Sequence, residues 1–333
     1  MGNTTKKSSG KKSSSKKASS PKAGRRPRKK SSGLVALICV IVIAAALLYL
    51  FGPRETVSTL VYDYTGIVLP ETLPWEHRGE VANDPISGIH AAPQLSGNLP
   101  TGLEIPRCAH TSDSHEVHQY AGFSLCYREN YEQAEWVAYE INTAELVKEA
   151  NRTDDFRPDP NISTGSATLA DYRGSGYDRG HLAPAADLAY STETMSESFY
   201  MSNMSPQVGG FNRGVWKELE AQVRQWAEEF GSVYVISGPV LNKAEYPTIG
   251  ENQVAVPEYY YKVLFAPQGR EGTPEMIGFL MANQKTEEDY LTFAVSVDEI
   301  ETLTGLDFFY NMEDDAESVL ESKINLPSWQ DQN

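Results

Sequence analysis

Between Tyr177 and Ala185 the chain reads Tyr-Asp-Arg-Gly-His-Leu-Ala-Pro-Ala. Asp178, Arg179, Gly180 and His181 set an acid, a guanidinium, a residue without Cβ and an imidazole on consecutive positions, and Pro184 halts any regular element soon after. Neither a helical nor an alternating period accounts for that order. His181 is suited to accept a proton near neutral pH, because the ordinary imidazole pKa is about 6.5. Arg179 offers a planar fork of donors that matches phosphate or carboxylate oxygens better than an ammonium would, and Gly180 would let the chain turn sharply between them. Acid, base and anion clamp together suit proton transfer on an anionic substrate. Taken alone, the stretch also reads as a surface turn with Asp178 and Arg179 salt-bridged and His181 a bystander.

The residues downstream add to the chemistry. Met201-Ser-Asn-Met-Ser-Pro-Gln207 is followed by Phe211-Asn-Arg-Gly-Val-Trp-Lys-Glu-Leu-Glu220, which opens the most helix-like segment of the chain. At 100° per residue, Asn212, Trp216 and Glu220 span only about 80° of a helix surface, so an amide and a carboxylate share one face. Val215, Leu219, Val223, Trp226 and Phe230 form the neighbouring apolar stripe that would hold this helix to a core.

These residues, in this order and spacing, resemble the DNA/RNA non-specific endonucleases with a ββα-metal finger, the family of mitochondrial endonuclease G. The resemblance runs over roughly residues 100 to 310 and includes Phe123–Tyr127 and Glu135–Tyr139 as paired early strands and a loop from Asn151-Arg152 to Pro160. It implies an α+β ββα-metal endonuclease domain with a central antiparallel sheet, acting on DNA and RNA with Mg²⁺, or Mn²⁺ as a substitute, and leaving 5′-phosphate and 3′-hydroxyl ends. It further implies Asn212 as the protein ligand of one metal ion, Glu220 as the group orienting water near it, and His181 as general base. Arg179 would clamp phosphate or brace the site, and Asn203 would hydrogen-bond within it and fix His181. Arg152 is a second candidate phosphate contact, with Arg157 as the alternative in the same loop, and Arg213 faces either substrate or solvent. Asp178 and Trp216 read as structural.

Composition divides the chain. Of 29 Lys and Arg, 12 precede residue 34, where no acid occurs; the rest of the chain carries 17 basic and 45 acidic side chains, a formal −28. Such a surface is poor for general nucleic-acid binding, whose affinity comes from Lys and Arg on phosphates. Substrate would have to meet a local basic cleft or a metal ion. Two other functions stay open on this ground: a catalytically inactive, membrane-tethered nucleic-acid receptor, and a phosphodiesterase for another substrate.

Residues 1–33 hold almost nothing apolar and are expected to be a disordered basic tail. Residues 34–51 form an uncharged run of Leu, Ile, Val and Ala, near the minimum length for a transmembrane helix. An uncleaved anchor is the reading preferred over a secretory signal, because the preceding basic tail is far longer than a signal's n-region. The basic flank predicts a cytoplasmic N-terminus and an extracytoplasmic catalytic domain. Residues 52–100 read as a Pro-rich stalk, 101–310 as the endonuclease domain and 311–333 as an acidic, mostly surface segment. His110, His115 and His118 match no compact chelate and are expected in a solvated loop. Cys39 lies in the apolar run, leaving Cys108 and Cys126 as a candidate disulfide outside the cytoplasm. Strands are expected at 232–241, 258–265, 275–283 and 292–297, with a capped helix from Val297.

Overall fold

The computed structural model describes residues 99–108 and 114–330, all within the compact unit Gly88–Asn333. The basic tail, the apolar run 34–51, nearly all of the stalk, His110 and the side chain of Cys108 lie outside the described residues, and with them the anchor and disulfide expectations. Among the described residues no helix is long and apolar enough to cross a membrane.

A seven-stranded antiparallel sheet forms the centre. Its members in chain order are β2 (His115–Gln119), β3 (Ser124–Arg128), β4 (Gln133–Asn142), β7 (Ser232–Pro239), β10 (Tyr259–Ala266), β11 (Glu275–Ala282) and β12 (Ala294–Val295), and across the sheet they run β12-β11-β10-β7-β4-β3-β2. The two early strands pair as expected, with Leu125 opposite Val137. Among the described residues three short antiparallel ribbons lie outside this sheet: β1 (Arg107–Cys108) with β13 (Leu306–Asp307), β5 (Tyr177–His181) with β6 (Met204–Val208), and β8 (Thr248–Ile249) with β9 (Val254–Ala255).

The central strands are buried on both faces because their alternate residues feed two separate cores. In β4, Val137, Tyr139 and Ile141 enter one core while Trp136 and Ala138 enter the other; in β10, Tyr260 and Leu264 oppose Tyr261, Val263 and Phe265. The first core is roofed by α2 (Lys217–Phe230), whose Leu219, Val223, Trp226 and Phe230 are buried as the apolar stripe predicts. Gly231 closes that helix at φ +88°, where a side chain would be strained. The second core is covered by α3 (Val297–Thr304) and α4 (Asp314–Glu321), which contribute Val297, Ile300, Ala316 and Leu320. Ser296 and Glu299 form a capping box at the start of α3, and Gly305 ends it in the left-handed region. A further helix, α1 (Thr192–Glu197), precedes β6.

Several sequence expectations change. His115 and His118 belong to edge strand β2 rather than a loop, with His118 Nε2 3.0 Å from Glu116. The expected strand at 292–297 shrinks to Ala294–Val295, because Asp289 caps a 3-10 turn over Tyr290–Phe293. The C-terminal segment is not merely surface: Trp329 is fully buried and meets Trp226 edge-on, with ring centroids 4.9 Å apart, and Phe230 at 5.6 Å. Aromatic burial of that size binds residues 311–330 to the domain.

Candidate active site

Ribbon β5–β6 presents two faces, since successive side chains of a strand point oppositely. Tyr177, Arg179 and His181 share one, Asp178 and Gly180 the other. Gly180 is an ordinary strand residue paired with Ser205, so the sharp turn expected there is absent. Its lack of a Cβ matters for packing instead: a Cβ would fall 2.0 Å from Oε1 of buried Gln207.

On the first face, His181 is wedged between two phenyl rings. Phe199 meets it edge-on, with centroids 5.1 Å apart and planes at 89°, and Phe156 lies 5.7 Å away, itself perpendicular to Phe199. Each ring also carries a guanidinium. Arg179 sits 4.2 Å above the Phe156 centroid and Arg152 4.9 Å above that of Phe199, within cation–π range. Arg152 is further oriented by Asp154, 2.7 Å from its Nε. Arg157, the alternative in the same loop, is committed elsewhere, bonded to Ser196 and stacked 4.1 Å over Tyr200.

This setting keeps His181 neutral. Burial first, then the positive charge of Arg152, push its pKa down to about 3; Asp154 pulls upward, and the charge of Arg179 adds a lesser lowering. Its Nε2 is shielded from solvent and has no hydrogen-bond partner among the described residues. A buried nitrogen without a partner is costly in a purely structural histidine.

The second face carries an amide and a carboxylate. Asn212 Nδ2 donates to Asp178 Oδ2 at 2.9 Å, and Arg213 approaches the same carboxylate at 2.7 Å. With its amide nitrogen bound in this way, the Asn212 oxygen accepts no hydrogen bond among the described residues and is oriented by Asp178. Arg213 is largely exposed. The premise of one uninterrupted α-helical face through Asn212, Trp216 and Glu220 does not hold: residues Asn212–Trp216 form a π-helical segment with Gly214 at φ −105°, ψ −119°. Such a bulge re-aims side chains relative to the 100° spacing. Trp216 is core, packed against Phe211 and Tyr260.

Beneath Trp216 lies a charge network that sequence reading missed. Lys262, fully buried in β10, points toward the α2 side, donates to Ser237 Oγ at 2.6 Å and lies 4.6 Å from the Trp216 ring centroid. Asp187 is buried and accepts from Arg224 at 2.6 Å and from Tyr139 at 2.9 Å. Glu220 shares their field. Burial raises its pKa, opposed by Lys262 and reinforced by Asp187, while burial lowers that of Lys262 against the pull of Glu220. A lone Lys in the run Tyr-Tyr-Tyr-Lys-Val-Leu-Phe-Ala, and Arg224 four residues after Glu220, were visible signals of this network. Phe156 and Phe199 left none, for aromatic residues in loops have no period.

Asn203 is fully buried and works through backbone: Oδ1 accepts from Ala183 N at 2.9 Å, and Nδ2 donates to the carbonyls of Ala183 and Ser198. It pins the chain just after His181 rather than touching the imidazole.

An antiparallel sheet with a separate ribbon leading into a helix, a shielded histidine between two arginines and an amide held by Asp178 fit a nuclease of the ββα-metal class. The sequence profile of the DNA/RNA non-specific endonucleases matches residues 106–315, and the chain belongs to that family. It is 35% identical over 209 residues to "Nuclease EXOG, mitochondrial" of Mus musculus, covering 58% of this chain and 57% of that protein. It is 36% identical over 242 residues to a "Nuclease" of Nostoc sp., covering 69% and 83%. The chain thus spans little more than half the length of the mouse relative. A solved structure of EndoG, in complex with EndoGI and described as showing the mechanism of EndoG inhibition, superposes with a TM-score of 0.56 at 33% identity, over 59% of this chain and 86% of that one.

Proposed function

We propose that this protein is a membrane-anchored, metal-dependent endonuclease that hydrolyses phosphodiester bonds in both DNA and RNA. The observation that carries the reading is the state of His181: a neutral imidazole whose Nε2 is unclaimed by any donor or acceptor among the described residues, between two arginines mounted on aromatic rings. A phosphodiester drawn to Arg152 and Arg179 would offset the two positive charges that lower the basicity of His181. The base is thereby strengthened when substrate is bound.

In this mechanism the imidazole of His181 takes a proton from the attacking water, the new P–O bond forms, and the bond from phosphorus to the 3′-oxygen breaks. That oxygen takes a proton from solvent water as it leaves as the 3′-hydroxyl, and the phosphate stays on the 5′ end. The oriented amide oxygen of Asn212 fits a hard cation such as Mg²⁺, which takes few protein ligands and keeps several waters, with Mn²⁺ as a substitute. When bound, the ion would neutralise charge developing on the phosphate. Asp178 holds the Asn212 amide in register. Glu220, whose pKa burial raises against the opposing charges of Lys262 and Arg224, would orient water on the metal side, and Asn203 sets the backbone on which His181 sits. Because these contacts address phosphate rather than base edges, neither sequence nor sugar would be selected. The anchor is assigned to residues 34–51, with the N-terminus cytoplasmic and the nuclease domain outside.

The test is digestion of plasmid DNA and single-stranded RNA by the detergent-solubilised full chain, with Mg²⁺ and with chelator. Degradation of both, lost with chelator and in His181→Ala, is expected. DNA retention without cleavage would replace the enzyme by a receptor, and turnover of only small phosphodiesters would reassign the substrate.

A further inference from the structure

On the face of the sheet that α3 and α4 cover, five carboxylates converge. Asp298 and Glu301 stand three residues apart on α3, Glu317 and Glu321 four apart on α4, so each pair shares one helix face. Asp307 of β13 acts on the same group electrostatically. One oxygen each from Asp298, Glu301 and Glu321 lies within 4.8 Å of the others. Among the described residues no Lys or Arg forms an ion pair with any of the five.

Acidic clusters are common on exposed surfaces, but Glu321 is not exposed. Its accessibility is 4%, and its Oε1 is shielded from solvent without a hydrogen-bond partner among the described residues, while its carboxylate faces Asp298 and Glu301. Burying an anionic oxygen among like charges with no donor is unfavourable unless a cation completes it. Glu301 already receives the Phe308 amide on Oε1 at 2.7 Å, which fixes its carboxylate and leaves its second oxygen for another partner. Oxygens that lie within 4.8 Å of one another can share a single ion at the roughly 2.4 Å Ca–O distance.

We propose that Asp298, Glu301 and Glu321 form a structural site for a divalent cation of the calcium class, clamping α4 to α3. An all-carboxylate set on flexible side chains suits Ca²⁺, which tolerates irregular geometry, better than Mg²⁺, which demands a tight octahedron. Exposed Asp298 leaves room for water at the remaining positions. The site is separate from the nuclease reading: α3 lies inside the segment that matches the family, while Glu321 lies beyond its end at residue 315. Protons could relieve the same repulsion, since burial and then Glu301 and Glu317 push the Glu321 pKa up to about 9.

Thermal unfolding of the chelator-treated full chain, titrated with CaCl₂ at pH 7.5, distinguishes the two. Calcium binding only the folded form should raise Tm by about 5–10 °C at a hundredfold excess over Kd. Asp298→Asn and Glu321→Gln should lose that rise, while Asn212→Ala, altered at the nuclease metal ligand, should keep it. Without calcium, Glu321→Gln should melt no lower than the wild type, because it removes a buried charge. A wild type that ignores calcium, or a rise that persists in both cluster variants, would overturn the proposal and leave a proton-sharing cluster.

Discussion

Phe199 stands perpendicular to the imidazole of His181 with centroids 5.1 Å apart, and carries Arg152 at 4.9 Å from its own centroid. One ring therefore both desolvates the base and places a positive charge beside it. Both effects hold the His181 pKa at about 3. Phe199→Leu and Arg152→Gln should each raise it, moving the acid limb of the kcat/KM profile to higher pH by on the order of one unit. The same shift bears on stability. The folded pKa is below the unfolded value of about 6.5, so the unfolded chain binds more protons between the two, and stability falls as pH drops from about 6.5 toward 3. Denaturant unfolding across that window should show the loss, and His181→Phe should lessen it.

Asp178 and Arg213 should separate cleanly. Asp178→Ala frees the Asn212 amide to rotate, so the Mg²⁺ concentration for half-maximal cleavage should rise by about 10–100-fold, the usual effect of removing a group that orients a ligand. Arg213→Ala leaves that hydrogen bond in place and removes an exposed ion pair worth about 0–1 kcal/mol. Metal titrations of the two variants in one cleavage assay check the difference.

Gly180 should resist substitution for a packing reason. Gly180→Ala drives a methyl into the Gln207 side chain and should destabilise the protein by about 1–3 kcal/mol. Adding Gln207→Ala removes the obstructing atoms and should recover much of the loss. Urea unfolding of the single and double variants measures the coupling; additive losses would exclude the clash.

Lys262→Met removes the cation that opposes the rise of the Glu220 pKa. Glu220 should then hold its proton to higher pH, and the pH at which activity appears should move upward. Breaking a buried pair in this way should also cost about 3–5 kcal/mol. An unchanged pH profile in a folded Lys262→Met protein would remove Glu220 from the proposed chemistry.

The sequence by itself determined the family, the paired early strands, the apolar stripe of α2 and the cap of α3, because each rests on local spacing or on residue types in fixed order. It also singled out His181, Asn212, Glu220, Arg179 and, with Arg157 as the alternative, Arg152. Tertiary structure alone decided what surrounds them. Phe156 and Phe199 reach His181 from loops without periodicity, Lys262 reaches Trp216 through strand order, and the π-helical segment after Phe211 breaks the helical spacing that residue counting assumes. Trp329 joins the core only because α2 exposes Trp226 and Phe230 to it. Long-range contacts of this kind carry no signature in local sequence, since burial and charge coupling depend on which segments pack together.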